Sequence, residues 1–323
     1  MTHTREIGGY FELERFTGEM LHGEAVALNC GRGAIMYIAE LREIRRIWLP
    51  DFMCDSVRRA FDRAGVEVET YKVGCDFLPV YDFDVSSGEW MFLADYYGQL
   101  PPSAVERAMR LFGHRVIVDE TQGFFKSPWD GCDTVYSCRK WLGVSDGAFA
   151  AMWDGSTLAR ELPRDESYTR MGFVLGRLER SAGEFYGEAS KNNEYFDTEP
   201  IKAMSRVTEN LLRGVDYGRV AHRREANWDI LHARLGNLNR LHPARPKGPF
   251  MYPLFVEDGT SLRSRLIEGG VFVPTLWPNV LSDAPEGSIA HRLARNIVPL
   301  PIDQRYGENE MNYIADEVAK CLG

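Results

Sequence analysis

The chain has 323 residues, enough for one large core or two unequal ones, and its acidic residues outnumber its basic ones 47 to 38, for a net charge of −9. That balance argues against a nucleic-acid backbone or an anionic membrane as partner, and the short basic clusters at 42–46 and 219–224 read as solvated helix faces. The six cysteines are scattered without a CxxC pair, which argues against a zinc knuckle, any other metal site and a disulfide framework.

The polar, acidic start "MTHTREIGGYFELE" lacks the basic and apolar run of a signal peptide, and no apolar stretch approaches the roughly 18 residues of a membrane span. A cytoplasmic protein with reduced thiols is therefore expected. In chain order, the turn "NCGRGAI" opens a helix over 31–44, with Ile35, Ile38, Ala39, Leu41 and Ile44 on one face. A strand at 45–51 follows, then a helix over 55–65 closed by Gly65, with Asp55 or Ser56 as its cap, and a strand at 66–73. The run 89–98 reads as an apolar strand, 101–113 as a helix begun by proline and ended by glycine, and 114–120 as another strand. Strands at 134–137 and 147–154 complete the series. Such alternation predicts an α/β fold built on a mostly parallel sheet with helices on both faces.

Beyond about residue 160 the pattern turns to long polar helical stretches, 170–192 and 201–235. "HPARPKGP" at 242–249 breaks it, and the segments from 250 to the helical 308–322 suggest a small α+β lobe. The expected organisation is a large α/β domain over 1–195, followed by linker helices and a small α+β domain over 196–323.

Ligands of an open α/β sheet sit beyond the carboxyl ends of its strands, and three features fall there. The glycines of "NCGRGAI", Gly31 and Gly33, let peptide N–H groups at a helix N-terminus approach an anion. Asp119 leaves the apolar run Val116 to Val118 directly, with Gln122 three residues on, and "SCRK" sets Ser137 and Lys140 just after a strand. Each alone has an ordinary reading: a common turn, a capping carboxylate, a surface lysine snorkelling to water. Their order is the informative part, with the strand-end aspartate about 90 residues after the turn and the lysine about 20 later. An anion site, a carboxylate and an amine are what pyridoxal phosphate (PLP) needs for its phosphate, ring nitrogen and aldehyde.

Over most of its length the chain resembles fold-type I PLP enzymes, specifically the DegT-like aminotransferases that act on nucleotide-linked keto sugars. The segments carrying the resemblance are "IGGYFELE", "ALNCGRGAI", "WLPDFMCDSVRRAFDRAGVEV", "ADYYGQ", "VIVDETQGFF", "SCRKWLGVSDGAF" and "VPLPIDQRYGENEMNYI". The resemblance implies that Lys140 joins the cofactor and shuttles protons, and that Asp119 pairs with the ring nitrogen. It places Gln122 against the ring, and Ser137 with the backbone of Gly31, Arg32 and Gly33 at the phosphate. It sets Tyr97 in the pocket wall and implies a homodimer acting on a small amino donor, glutamate or glutamine, and a keto acceptor.

Four positions depart from the family pattern. Cys54 stands where an aromatic usually stacks on the ring, with Phe52 nearby as an alternative. Arg32 occupies the phosphate turn and could add charge there or at a substrate carboxylate. Ser137 lies three residues before the lysine instead of five, and no Asn-Tyr segment matches "IKAMSRVTENLL". A PLP-dependent lyase or racemase, or a non-catalytic binding descendant, therefore stands beside the aminotransferase reading.

Overall fold

The computed structural model describes residues 7–322, so the first six residues of the acidic N-terminus lie outside the described residues. From the amino end, β1 (Val26–Leu28) turns through Cys30 into α1 (Gly31–Leu41), and β2 (Arg46–Pro50) leads into α2 (Asp55–Arg63). Then β3 (Glu67–Val73) folds back onto the short β4 (Pro79–Val80), and β5 (Trp90–Ala94) precedes α3 (Pro102–Phe112). Next come β6 (Val116–Asp119), β7 (Asp133–Ser137) and β8 (Ala148–Ala151). These strands make one eight-stranded sheet in the order β1-β8-β7-β6-β5-β2-β3-β4. The neighbours from β7 through β3 pair in parallel, as the alternating pattern predicts. In contrast, β8 runs antiparallel to β7 and β1, and β4 antiparallel to β3.

Every residue of β5, β6 and β7 is buried, the continuous apolar run of strands covered on both faces. The expected face of α1 is largely realised: Ile35, Ile38, Ala39 and Ile44 are buried and Leu41 is half-buried. Pro79 sits in the edge strand β4, where a missing N–H costs no ladder bond.

The expected helix over 170–192 is broken into α4 (Gly172–Glu179) and α5 (Ala182–Tyr195), with Arg180 extended and Ser181 and Glu184 forming a capping box. The stretch 201–235 divides likewise into α6 (Arg206–Arg213) and α7 (Tyr217–Leu235), whose first turns are capped by Ser205 and Asp216. Residues 201–204 are not helical. They lie along the free edge of β1, with Asn29 N donating to Lys202 O at 3.0 Å and Met204 N to Ala27 O at 3.2 Å.

The carboxyl-terminal part holds β9 (Tyr252–Phe255), α8 (Gly259–Glu268), α9 (Pro278–Asp283), α10 (Ile289–Asn296), β10 (Ile297–Leu300) and α11 (Glu308–Leu322). β9 and β10 pair antiparallel, and with Leu231 and Leu235 of α7, Leu262 and Leu266 of α8, and Ile314 and Val318 of α11 they build a second core apart from that of the large sheet. Among the described residues, no helix is long and apolar enough to cross a membrane.

Candidate active site

Register brings the chemistry-bearing residues to one edge. Ala148 pairs with both Leu28 and Ser137, so the ends of β1 and β7 lie level, and Asp119 pairs with Val135 on one side and Ala94 on the other. Cys30, Ser137, Asp119 and the Tyr96–Tyr97 turn thus share the carboxyl rim of the sheet.

Lys140 stands in the turn after β7, exposed toward the rim. Its Nζ donates to Thr121 Oγ1 at 2.9 Å and lies 5.9 Å from the centre of the Phe250 ring. The next residue anchors the turn: Trp141 is buried, its Nε1 donates to Thr121 O at 3.2 Å, and its carbonyl accepts from Gln304 Nε2 at 2.8 Å. The fully buried Arg224 lies 4.6 Å over the Trp141 ring, donates to the carbonyls of Pro249 and Phe250, and so ties Phe250 to the same anchor. A flexible side chain therefore projects from a fixed base.

Asp119 closes β6 with 8% of its surface exposed, and its Oδ1 accepts from Thr121 N at 2.9 Å. Burial lifts its pKa above the ordinary carboxylate range, opposed by the charge of Lys140 and the Thr121 hydrogen bonds. Thr121 thus bridges Asp119 and Lys140, one by its backbone and the other by its hydroxyl. Gln122 is buried and accepts from Tyr97 N at 2.9 Å, fixing Tyr97 in a left-handed backbone conformation (φ 55°). The Tyr97 hydroxyl is buried without a partner among the described residues. Gly98 (φ 77°) packs where a Cβ would lie 2.8 Å from Pro246, and Gln99 exchanges two hydrogen bonds with Ala244. The loop expected as a break at 242–249 therefore seals this side of the rim.

Phe52 and Cys54 have separate surroundings. Phe52 is fully buried, its ring 5.0 Å from that of Trp277 and 5.2 Å from that of Tyr96, and its carbonyl accepts from Tyr96 OH at 2.6 Å. Cys54 is half-buried at the start of α2, with Sγ 3.1 Å from Ser56 Oγ, and borders a cavity of about 330 Å³ shared with Arg58, Asn279 and Asp283.

At the opposite end of the rim, Gly31, Arg32 and Gly33 form the first turn of α1, with Cys30 Sγ accepting from Gly33 N at 3.2 Å. A Cβ on Gly33 would fall 2.5 Å from Oδ1 of the fully buried Asn29. Arg32 does not point along the helix mouth: it ion-pairs with Asp197 and donates to Asn193 O at 3.0 Å. Ser137 is buried at the end of β7.

The structure thus gathers Lys140, Asp119, Gln122 and Tyr97 around Thr121, and sets the Gly31 turn and Ser137 along the same rim. Sequence reasoning passed over Thr121, Trp141, Phe250 and Arg139. Thr121 lies inside the quoted Asp-x-x-Gln run and Arg139 inside "SCRK", whereas Trp141 and Phe250 signal only an apolar environment.

No protein-family model matches the sequence, and no curated protein does so. Solved structures do match the fold. The sugar aminotransferase CalS13 of Micromonospora echinospora is 15% identical, with a TM-score of 0.64 over 92% of this chain and 87% of its own. A DegT/DnrJ/EryC1/StrS aminotransferase of Brucella abortus is 11% identical, with a TM-score of 0.60 over 92% and 85%. NtdA of Bacillus subtilis, solved with bound pyridoxamine phosphate (PMP), is 12% identical, with a TM-score of 0.64 over 96% and 78%. The chain therefore has the fold of these aminotransferases, in agreement with the fold that the sequence motifs imply.

Proposed function

We propose that the protein is a PLP-dependent aminotransferase that moves an amino group from glutamate or glutamine to a keto acceptor, a nucleotide-linked keto sugar. The observation that carries this reading is the convergence of an amine and a buried carboxylate on Thr121, at the rim that also holds the N-terminus of α1. The donor set fits the cofactor. Asp119 is a carboxyl raised by burial, and the charge of a protonated ring nitrogen would add to that of Lys140 in favouring its ionised form. The first turn of α1 suits a phosphate. The neighbours named as sugar aminotransferases, and the one holding PMP, support the same reading.

When bound, PLP supplies an electrophilic carbon for the amine and a ring that takes up an electron pair. Lys140 would hold it through Nζ, and the same amine would take and return the proton of the substrate α-carbon. Asp119 would hold the proton on the ring nitrogen, and Gln122 would flank the ring. Ser137 with the peptide N–H groups of Gly31, Arg32 and Gly33 would receive the phosphate, while Cys54 or Phe52 would border the ring. Thr121 orients Nζ: Thr121→Val, which keeps the branched shape and removes the acceptor, is expected to lower kcat about tenfold, with Thr121→Ser near wild type.

Incubation of the PLP-loaded protein with glutamate tests the function. Conversion to the pyridoxamine form is expected, whereas a cofactor unchanged by every amino acid tried points to a lyase or another PLP reaction. We also read the protein as a cytoplasmic homodimer. The six cysteines are free, and Ile7, Tyr10, Phe11, Leu175 and Leu178 leave apolar surface exposed on the N-terminal arm and α4. A monomer by light scattering at micromolar concentration contradicts the dimer.

A further inference from the structure

Arg139, one residue before Lys140, is a half-buried cation with no ion pair among the described residues. Its Nη1 donates to Asn193 Oδ1 at 2.5 Å, its guanidinium lies 4.6 Å over the Phe196 ring, and its Nε is buried with no hydrogen-bond partner. Asp146, the carboxylate whose field reaches it, is already occupied by the hydroxyls of Ser205 and Thr208 and by Ser205 N. Burial pulls the Arg139 pKa down, and the neighbouring Arg32 acts in the same sense.

The charge of Arg139 reaches Cys30, the residue that caps α1. Arg139 and Arg32 both hydrogen-bond Asn193, and both favour the thiolate of Cys30, the residue that caps the helix. Of the two guanidiniums, Arg32 has Asp197, whereas Arg139, two residues beyond Ser137, has no ion pair among the described residues and lies near the capped, positive end of a helix. A desolvated guanidinium is unfavourable unless an anion meets it, and its planar fork matches a phosphate oxygen pair.

We propose that Arg139 is the charged ligand of a phosphate-monoester site formed with the first turn of α1 and Ser137, with Asn193 as its positioning residue. Assigning that phosphate to PLP rests on the function proposed above; inorganic phosphate shares the chemistry. The test titrates cofactor-free wild type, Arg139→Gln and Arg139→Lys with PLP and with pyridoxal, which lacks the phosphate, and follows the thermal midpoint with and without inorganic phosphate. Arg139→Gln is expected to bind PLP about 10- to 100-fold more weakly, to leave pyridoxal affinity unchanged and to lose the phosphate-induced rise in midpoint, while Arg139→Lys keeps part of both. PLP affinity equal to wild type, or a parallel loss of PLP and pyridoxal that marks a merely structural arginine, overturns the proposal. Wild type that binds neither PLP nor pyridoxal but is stabilised by phosphate through Arg139 keeps the anion site and removes the cofactor reading.

Discussion

Replacing Lys140 with alanine is expected to abolish amino transfer, with kcat/KM falling by at least about 10⁴-fold, while the folded structure survives. Among the described residues the side chain makes one hydrogen bond, to Thr121, and it is exposed, so its removal costs about 1 kcal/mol of stability or less. The turn that carries it stays anchored through Trp141, Arg224 and Gln304. Lys140→Arg does not restore activity, because a guanidinium keeps its proton and is neither nucleophile nor base near neutral pH. A small added amine restores part of the rate in the alanine variant, since the missing group is an amine and not a packing element. Near-wild-type turnover in Lys140→Ala would remove this residue from the chemistry.

The second large effect belongs to Asp119. Asp119→Asn keeps the shape and the hydrogen bond from Thr121 N but removes the charge, and is expected to lower kcat about 10²- to 10³-fold, the scale of losing one preorganised electrostatic contact. The same residue predicts a pH effect in the cofactor-free protein. Burial raises the Asp119 carboxyl above its unfolded value, so the folded chain retains the proton longer than the unfolded one. Stability is therefore greatest below the unfolded pKa and falls as pH rises through the window up to the raised value. Glu120, also raised chiefly by burial, adds a slope of the same sign. Denaturant unfolding across acidic to neutral pH should show a shallower decline in Asp119→Asn than in wild type; identical slopes contradict the role assigned to burial.

Much of the large sheet was legible because its cues are local. The 3.6-residue period of 31–44 placed α1, and the apolar runs at 89–98 and 114–120 placed β5 and β6. What was not legible depends on distant partners or on competition between cues. Periodicity over 170–192 outweighed a Ser181/Glu184 capping box that splits it into α4 and α5. Residues 201–204 read as helix, yet the free edge of β1 claims their backbone. The ten residues between β7 and β8 are too few for a crossover helix, and β8 returns antiparallel. Lys140 and Asp119 could be picked out because strand exits announce themselves. Arg139 could not, since the absence of an ion pair to it among the described residues is something no local pattern encodes.

The central claim is that Lys140 carries the cofactor. Incubating the protein with PLP, reducing with borohydride, digesting and mapping the modified peptide tests it most directly. The phosphopyridoxyl group is expected on Lys140, within the peptide containing "Trp-Leu-Gly-Val-Ser-Asp-Gly-Ala-Phe" after it. Label absent, or distributed among surface lysines with Lys140 unmodified, contradicts the account.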